Sequence, residues 1–171
     1  VYAFLFFRFG IASILMFFIA YKYLNQINKR TIFYGVILGT FLFSAFATQT
    51  FGLLYTKSSI VAFITGLNVI FVPFLAYLVF KDHISKKVFI AAIVAVIGLY
   101  SLTMSGTLTV GIGEFLTLIC AFLFALQIIY TGKFSKEVNV FLLVLFQLIT
   151  VTILSLIFSL SLDDVTFNLS Y

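Results

Sequence analysis

Along the chain, apolar residues run in long blocks, and charged residues fall between them on a regular beat. Charge-free stretches extend over 9–21, 31–56, 58–80, 88–113, 115–132 and 138–162, and residues 1–7 extend the first of them upstream of Arg8. A hydrocarbon core about 30 Å thick is crossed by about 20 apolar residues of helix. The blocks therefore predict six membrane helices near 2–23, 32–55, 58–80, 88–104, 113–131 and 140–161. Each is apolar nearly all round, whereas a helix of a soluble core keeps one polar face. A β-barrel would need ten-residue segments alternating between lipid and lumen faces, and no such alternation occurs. The expected fold class is all-α, a polytopic membrane protein with six transmembrane helices in view.

Composition agrees with the pattern. Hydrophobic residues make up 64% of the chain and charged residues 9%, against roughly 45–50% and 25% in soluble domains. Charge adds an orientation, because short cytoplasmic loops collect Lys and Arg. Lys22, Lys29 and Arg30 lie at the first connection, Lys81, Lys86 and Lys87 at the third, and Lys133 and Lys136 at the fifth. Alternate connections share a side, and the other side holds only Lys57. Loops 22–30, 81–87 and 133–136 are accordingly expected in the cytoplasm, with residue 1 and the end of the last helix outside. Tyr21, Tyr23, Tyr34, Tyr55 and Tyr130 sit near helix ends, where an amphipathic ring suits the membrane interface. The net charge of +5 thus reports topology, and no nucleic acid is expected as a partner.

Catalytic and metal chemistry finds little to build on. Transition-metal sites need clustered His, Cys or carboxylate ligands, but His83 stands alone in a loop and Cys120 alone in a helix. A lone Cys forms no internal disulfide and reads as a small packing residue. No Walker A loop, H-E-x-x-H or G-x-S-x-G occurs, so neither an enzyme nor a cofactor is expected, and any transport would be gradient-driven or passive.

The first residues read as an internal span rather than a signal peptide, which would carry a basic start and a short apolar core. The last, LDDVTFNLSY, leave one helix without beginning another, so the chain reads as a fragment. A shift of 137 residues lays VYAFLFFRFGI (1–11) on VNVFLLVLFQL (138–148), matching Val1 with Val138, Phe4 with Phe141, Leu5 with Leu142 and Phe9 with Phe146. That shift makes the first and sixth helices equivalent at a five-helix period. An odd period inverts the second copy, which is the plan of inverted-repeat secondary transporters.

The run GLLYTKSSIVAFITGLNVIFVPFLAYLVFKDHISKKVFIAAIVAVIGLYSL (52–102), with RFGIASILM (8–16) before it and GEFLTLICAFLFALQIIYTGKFSK (113–136) after it, resembles an EamA-type permease of the drug/metabolite transporter superfamily. The resemblance rests on R-F-x-x-A in the first helix, G-L-x-Y-T ending the next, a proline-bearing helix running into a basic loop, and G-E-x-x-x-L opening a second repeat. It implies ten helices in two inverted five-helix repeats, both termini cytoplasmic, and export or exchange of small metabolites. On that map this chain holds helices two to seven: 1–105 an incomplete first repeat, 106–112 an outer loop, and 113–171 the start of the second. The function expected is a secondary transporter of a small metabolite, amino-acid-like solute or drug in the bacterial inner membrane. A non-transporting assembly or sensory subunit is the alternative. The expected partners are a solute, the lipid bilayer and, as an option, a second copy in a homodimer.

Polar residues inside the membrane supply the candidate site. Ser58, Ala62, Thr65, Asn68, Val69 and Val72 share one helical face, which must meet protein or water, since lipid offers no hydrogen bonds. Pro73 has no N–H, so the Val69 carbonyl loses its helical donor. Either this face lines a cavity, or Asn68 bonds a neighbouring helix and Pro73 is a tolerated kink. Gln49 is a cavity or interhelix contact, while Thr40, Ser44 and Thr48 can bond their own backbone. Gly35 and Gly39 form a GxxxG pair, and Ala91, Ala95 and Gly98 a small-residue seam, both suited to close helix packing. Thr117, Cys120, Phe124, Gln127 and Thr131 share a face, and because the family places this helix beside its central cavity, Gln127 is a candidate substrate contact. Arg8 is either a snorkelling anchor or a site residue, with Glu114 as its candidate partner. No buried carboxylate relay for proton coupling stands out.

Overall fold

A chain in lipid must satisfy its backbone polar groups internally, and this one does so with helices. The computed structural model describes residues 1–81, 86–103 and 111–162. Helix α1 spans Tyr2–Ala20 and runs into a 3-10 turn at Tyr21–Gln26. It is followed by α2 (Lys29–Tyr55), α3 (Ser58–Gly66), α4 (Asn68–Phe80), α5 (Lys86–Thr103), α6 (Ile112–Phe134) and α7 (Val140–Leu162). Among the described residues, five helical stretches are long and apolar enough to cross a membrane: Tyr2–Gln26, Lys29–Tyr55, Ser58–Phe80, Ile112–Phe134 and Val140–Ser161. The remaining expected span falls on α5, which is helical over 18 residues but is not among those five. The protein is an all-helical, multi-pass membrane protein.

Two boundaries differ from expectation for physical reasons. The first helix gives way at Ala20 instead of running to 23. The polar sequence YKYLNQ tightens into 3-10 geometry there, and the Ile27 amide closes it on the Leu24 carbonyl at 3.1 Å. The span over 58–80 is one crossing built from two helices. Leu67 has ψ −12° and its amide bonds the Ile64 carbonyl at 3.1 Å, a three-residue closure in place of the α-helical four. Gly66 and Asn68, both weak helix formers, flank the break. Pro73 lies inside α4, not at the interruption. At the far end α4 stops on Lys81, whose left-handed φ of 55° turns its amide onto the Tyr77 carbonyl at 2.9 Å.

The chain packs as two units, Val1–Phe43 with the segment from Phe134 onward, and Ser44–Lys133. In the first unit α1 and α7 run antiparallel. Tyr2 meets Phe158 (ring centroids 5.5 Å apart), Ser13 meets Thr152 (oxygens 3.2 Å apart), and Ala20 is buried with Leu142 and Leu145. The beginning of α2 lies parallel to α7 and touches it through glycines. A Cβ on Gly39 would stand 2.5 Å from the Cβ of Thr150, and one on Gly35 would collide with Phe146. The GxxxG pair is a helix-packing seam.

In the second unit the end of α2 packs antiparallel to α6, through Phe46 with Phe124 (5.1 Å) and through Gly52 with Gly113. A Cβ on either glycine would stand 3.1 Å from the other's carbonyl oxygen. Phe71 with Phe122 (6.4 Å) and Phe80 with Tyr130 (5.5 Å) join α4 to α6 in parallel, while Phe63 with Tyr100 (6.3 Å) joins α3 to α5. Of the expected seam in α5, Gly98 is exposed with no described atom within 4 Å of an added Cβ. The side chains of Ala91 and Ala95 lie outside the described residues, as do His83, most of the 106–112 loop, and Asp163 and Asp164.

Candidate functional site

Polar groups of the second unit gather at two levels. At the level of the break, Gln49 of α2 donates from Nε2 to Oγ1 of Thr65 in the last turn of α3, at 3.2 Å. The thiol of Cys120, buried in α6, lies close to the hydroxyls of both Thr65 and Thr48. Thr48 also donates to the Ser44 carbonyl at 2.8 Å, the self-satisfaction expected of a membrane threonine. Three helices thus deliver an amide, two hydroxyls and a thiol to one place. Two of the residues singled out in the sequence, Gln49 and Thr65, meet directly. Thr48 and Cys120 join them, although the first reads as self-bonded and the second as packing.

Asn68 and Pro73 stand beside this cluster in sequence and differ from it in state. Asn68 opens α4 half-buried, and its amide makes no side-chain hydrogen bond to a described residue. Val69 is exposed, and with Pro73 four residues on its carbonyl has no helical N–H to accept. Among the described residues, the discontinuity therefore presents one side-chain amide without a side-chain partner and one carbonyl without its helical donor.

Gln127 is not in the cluster. Its Nε2 donates to Thr131 Oγ1 at 3.1 Å, and that hydroxyl donates to the Gln127 carbonyl at 2.7 Å, so both groups bond within their own helix. Arg8 is an exposed residue of α1, its guanidinium carbon 5.5 Å from the centroid of the Phe9 ring.

The second level is a carboxylate. Glu114 is 9% exposed in the first turn of α6. One oxygen accepts the Thr56 hydroxyl at 2.5 Å and the other the Gly111 amide at 2.8 Å. The latter bond is the return half of a capping box, which satisfies a free amide at the helix start. Next to it, Thr117 donates to the Gly113 carbonyl at 2.7 Å. Glu114 thus ties the end of α2 to the beginning of α6. The sequence placed it in G-E-x-x-x-L and beside Arg8 but did not link it to Thr56; the available signal was that G-L-x-Y-T and G-E-x-x-x-L both carry the small and polar residues that this contact uses.

These elements make up a multi-pass membrane protein in which one span is broken and polar groups from neighbouring helices gather beside the break. The EamA-like transporter family matches residues 1–104, and the chain belongs to that family. It is also 33% identical over 121 residues to an uncharacterized transporter of Archaeoglobus fulgidus, an alignment covering 71% of this chain. The chain spans 39% of that relative's length. No solved structure matches it.

Proposed function

We propose that the protein is part of a secondary transporter that exports or exchanges a small metabolite, amino-acid-like solute or drug, and is not an enzyme. The observation that carries the reading is the convergence of Thr48, Gln49, Thr65 and Cys120 beside the break at Leu67. Broken membrane helices supply backbone and side-chain groups to a solute that would otherwise meet only hydrocarbon. Asn68 and the Val69 carbonyl offer a donor and acceptors to the solute, while Gln49 and Thr65 hold the α2 to α3 spacing. Apolar rings such as Phe46, Phe71 and Phe124 take its apolar part.

The wider setting belongs to the same proposal. The chain forms helices two to seven of an inverted five-plus-five repeat, 1–105 in the first and 113–171 in the second, in a bacterial inner membrane. The basic loops face the cytoplasm. This is supported separately in each unit: Gln26 bonds Asn139 at 2.9 Å, bringing the first and fifth connections together, and Lys133 lies 4.7 Å from the Phe80 ring where the third connection begins.

The test is flux. Full-length protein in liposomes is expected to move at least one solute from an amino-acid and metabolite panel down its gradient, and Asn68→Leu to insert normally but carry that solute more slowly. If no solute crosses faster than in empty vesicles, the transporter reading fails. If Asn68→Leu transports at the unaltered rate, Asn68 is a packing residue.

A further inference from the structure

One end of the first unit gathers basic side chains from two segments more than a hundred residues apart in sequence. The first segment, with Lys22, Lys29 and Arg30, and the second, with Lys136, are braced by the Gln26 to Asn139 bond at 2.9 Å and by Tyr34, whose hydroxyl donates to Glu137 at 2.7 Å. Arg30 lies one helical turn before Tyr34 and Lys136 beside Glu137. Two parallel ring stacks complete the brace: Tyr34 on Phe134 (3.9 Å, 1°) and Tyr23 on Phe141 (5.0 Å, 5°).

The charges on this platform are unbalanced. Lys22, Lys29, Arg30 and Lys136 are all exposed, and none forms an ion pair with a described residue. Glu137, whose Oε2 accepts the Tyr34 hydroxyl, is the sole carboxylate among the described residues of this unit. No acidic residue occupies the first turn of α2. Orientation in the membrane explains why these residues are basic, but it does not require two remote segments to be locked side by side. Ammonium and guanidinium groups held together by these stacked rings match an anionic phospholipid headgroup, whose phosphate meets the cations.

We propose that this end of the first unit is a binding surface for anionic phospholipid headgroups, with Lys29, Arg30 and Lys136 as the phosphate contacts and Lys22 at its rim. The proposal does not depend on what the protein transports.

Headgroup binding is measured on full-length protein in neutral detergent, where membrane orientation plays no part. Phosphatidylglycerol and phosphatidylcholine are titrated separately, and bound lipid is counted by native mass spectrometry. Phosphatidylglycerol is expected to bind more tightly, and the preference to fall about fivefold for each charge removed in Lys29→Gln, Arg30→Gln and, separately, Lys136→Gln. Lys57→Gln, an exposed charge of the other unit, is expected to leave it unchanged. Equal binding of the two lipids overturns the proposal, since a purely topological role leaves no preference in detergent. A preference that survives all three charge removals, or that falls as far in Lys57→Gln, overturns it as well.

Discussion

At the scale of single residues, glycine matters here where two helix backbones approach. Gly39 in α2 leaves no room for a Cβ, which would sit 2.5 Å from the Cβ of Thr150 and 2.8 Å from the Gln147 carbonyl oxygen. Gly132, near the end of α6, is exposed with no described atom within 4 Å of that position. Alanine gains about 1 kcal/mol of helix propensity at either site, but overpacking costs about 1–3 kcal/mol. Gly39→Ala is therefore expected to lower the thermal midpoint in detergent and Gly132→Ala to hold or raise it. Equal shifts would mean that α2 and α7 are not in contact at Gly39. Glu114 yields a second contrast. Glu114→Ala strips the acceptor from Thr56 and from the Gly111 amide, a loss of about 1–3 kcal/mol, whereas Glu114→Gln keeps an acceptor for one of them and should destabilise less. Both are read from the same melting curves.

At the scale of elements, the span from Ser58 to Phe80 is the informative one. Its lone proline marks it in the sequence as irregular, yet the helix is interrupted at Leu67, six residues before Pro73. Pro73 frees the Val69 carbonyl, and the weak formers Gly66 and Asn68 yield where the helix is least favoured. Pro73→Ala restores a donor to that carbonyl. The expected outcome is slower amide exchange across 66–73, with reduced solute flux in liposomes. Unchanged exchange would show that the break does not depend on the proline. The existence of this element was legible from its length and hydropathy. Its division was not, because Gly66, Asn68 and Pro73 each mark a weak turn and periodicity does not say which of them gives way.

At the scale of the whole molecule, topology carries the prediction. Odd and even connections should open to opposite sides, so single cysteines replacing Lys57 and Lys136, both exposed, in a Cys120→Ala background should react with an impermeant maleimide from opposite faces of the membrane. Labelling from one face would overturn the assignment of basic loops to the cytoplasm. Within each unit the helix directions alternate as that scheme requires: α1 runs against α7 in the first, and α2 against α6 in the second.

What could be read from the sequence alone was whatever depends on solvent and length. Hydrocarbon demands long apolar helices and closed backbone bonds, so the all-helical, multi-pass class and most helix positions follow from where the charges fall. The GxxxG pair could be read for the same reason, since small residues four apart on an apolar helix have few uses except close approach. Tertiary structure alone decided which polar groups meet. Gln49 found Thr65, Gln127 turned to its own helix, and Glu114 paired with Thr56. A hydrogen bond is satisfied only within about 3 Å, and helical periodicity ranks faces without setting that distance between helices.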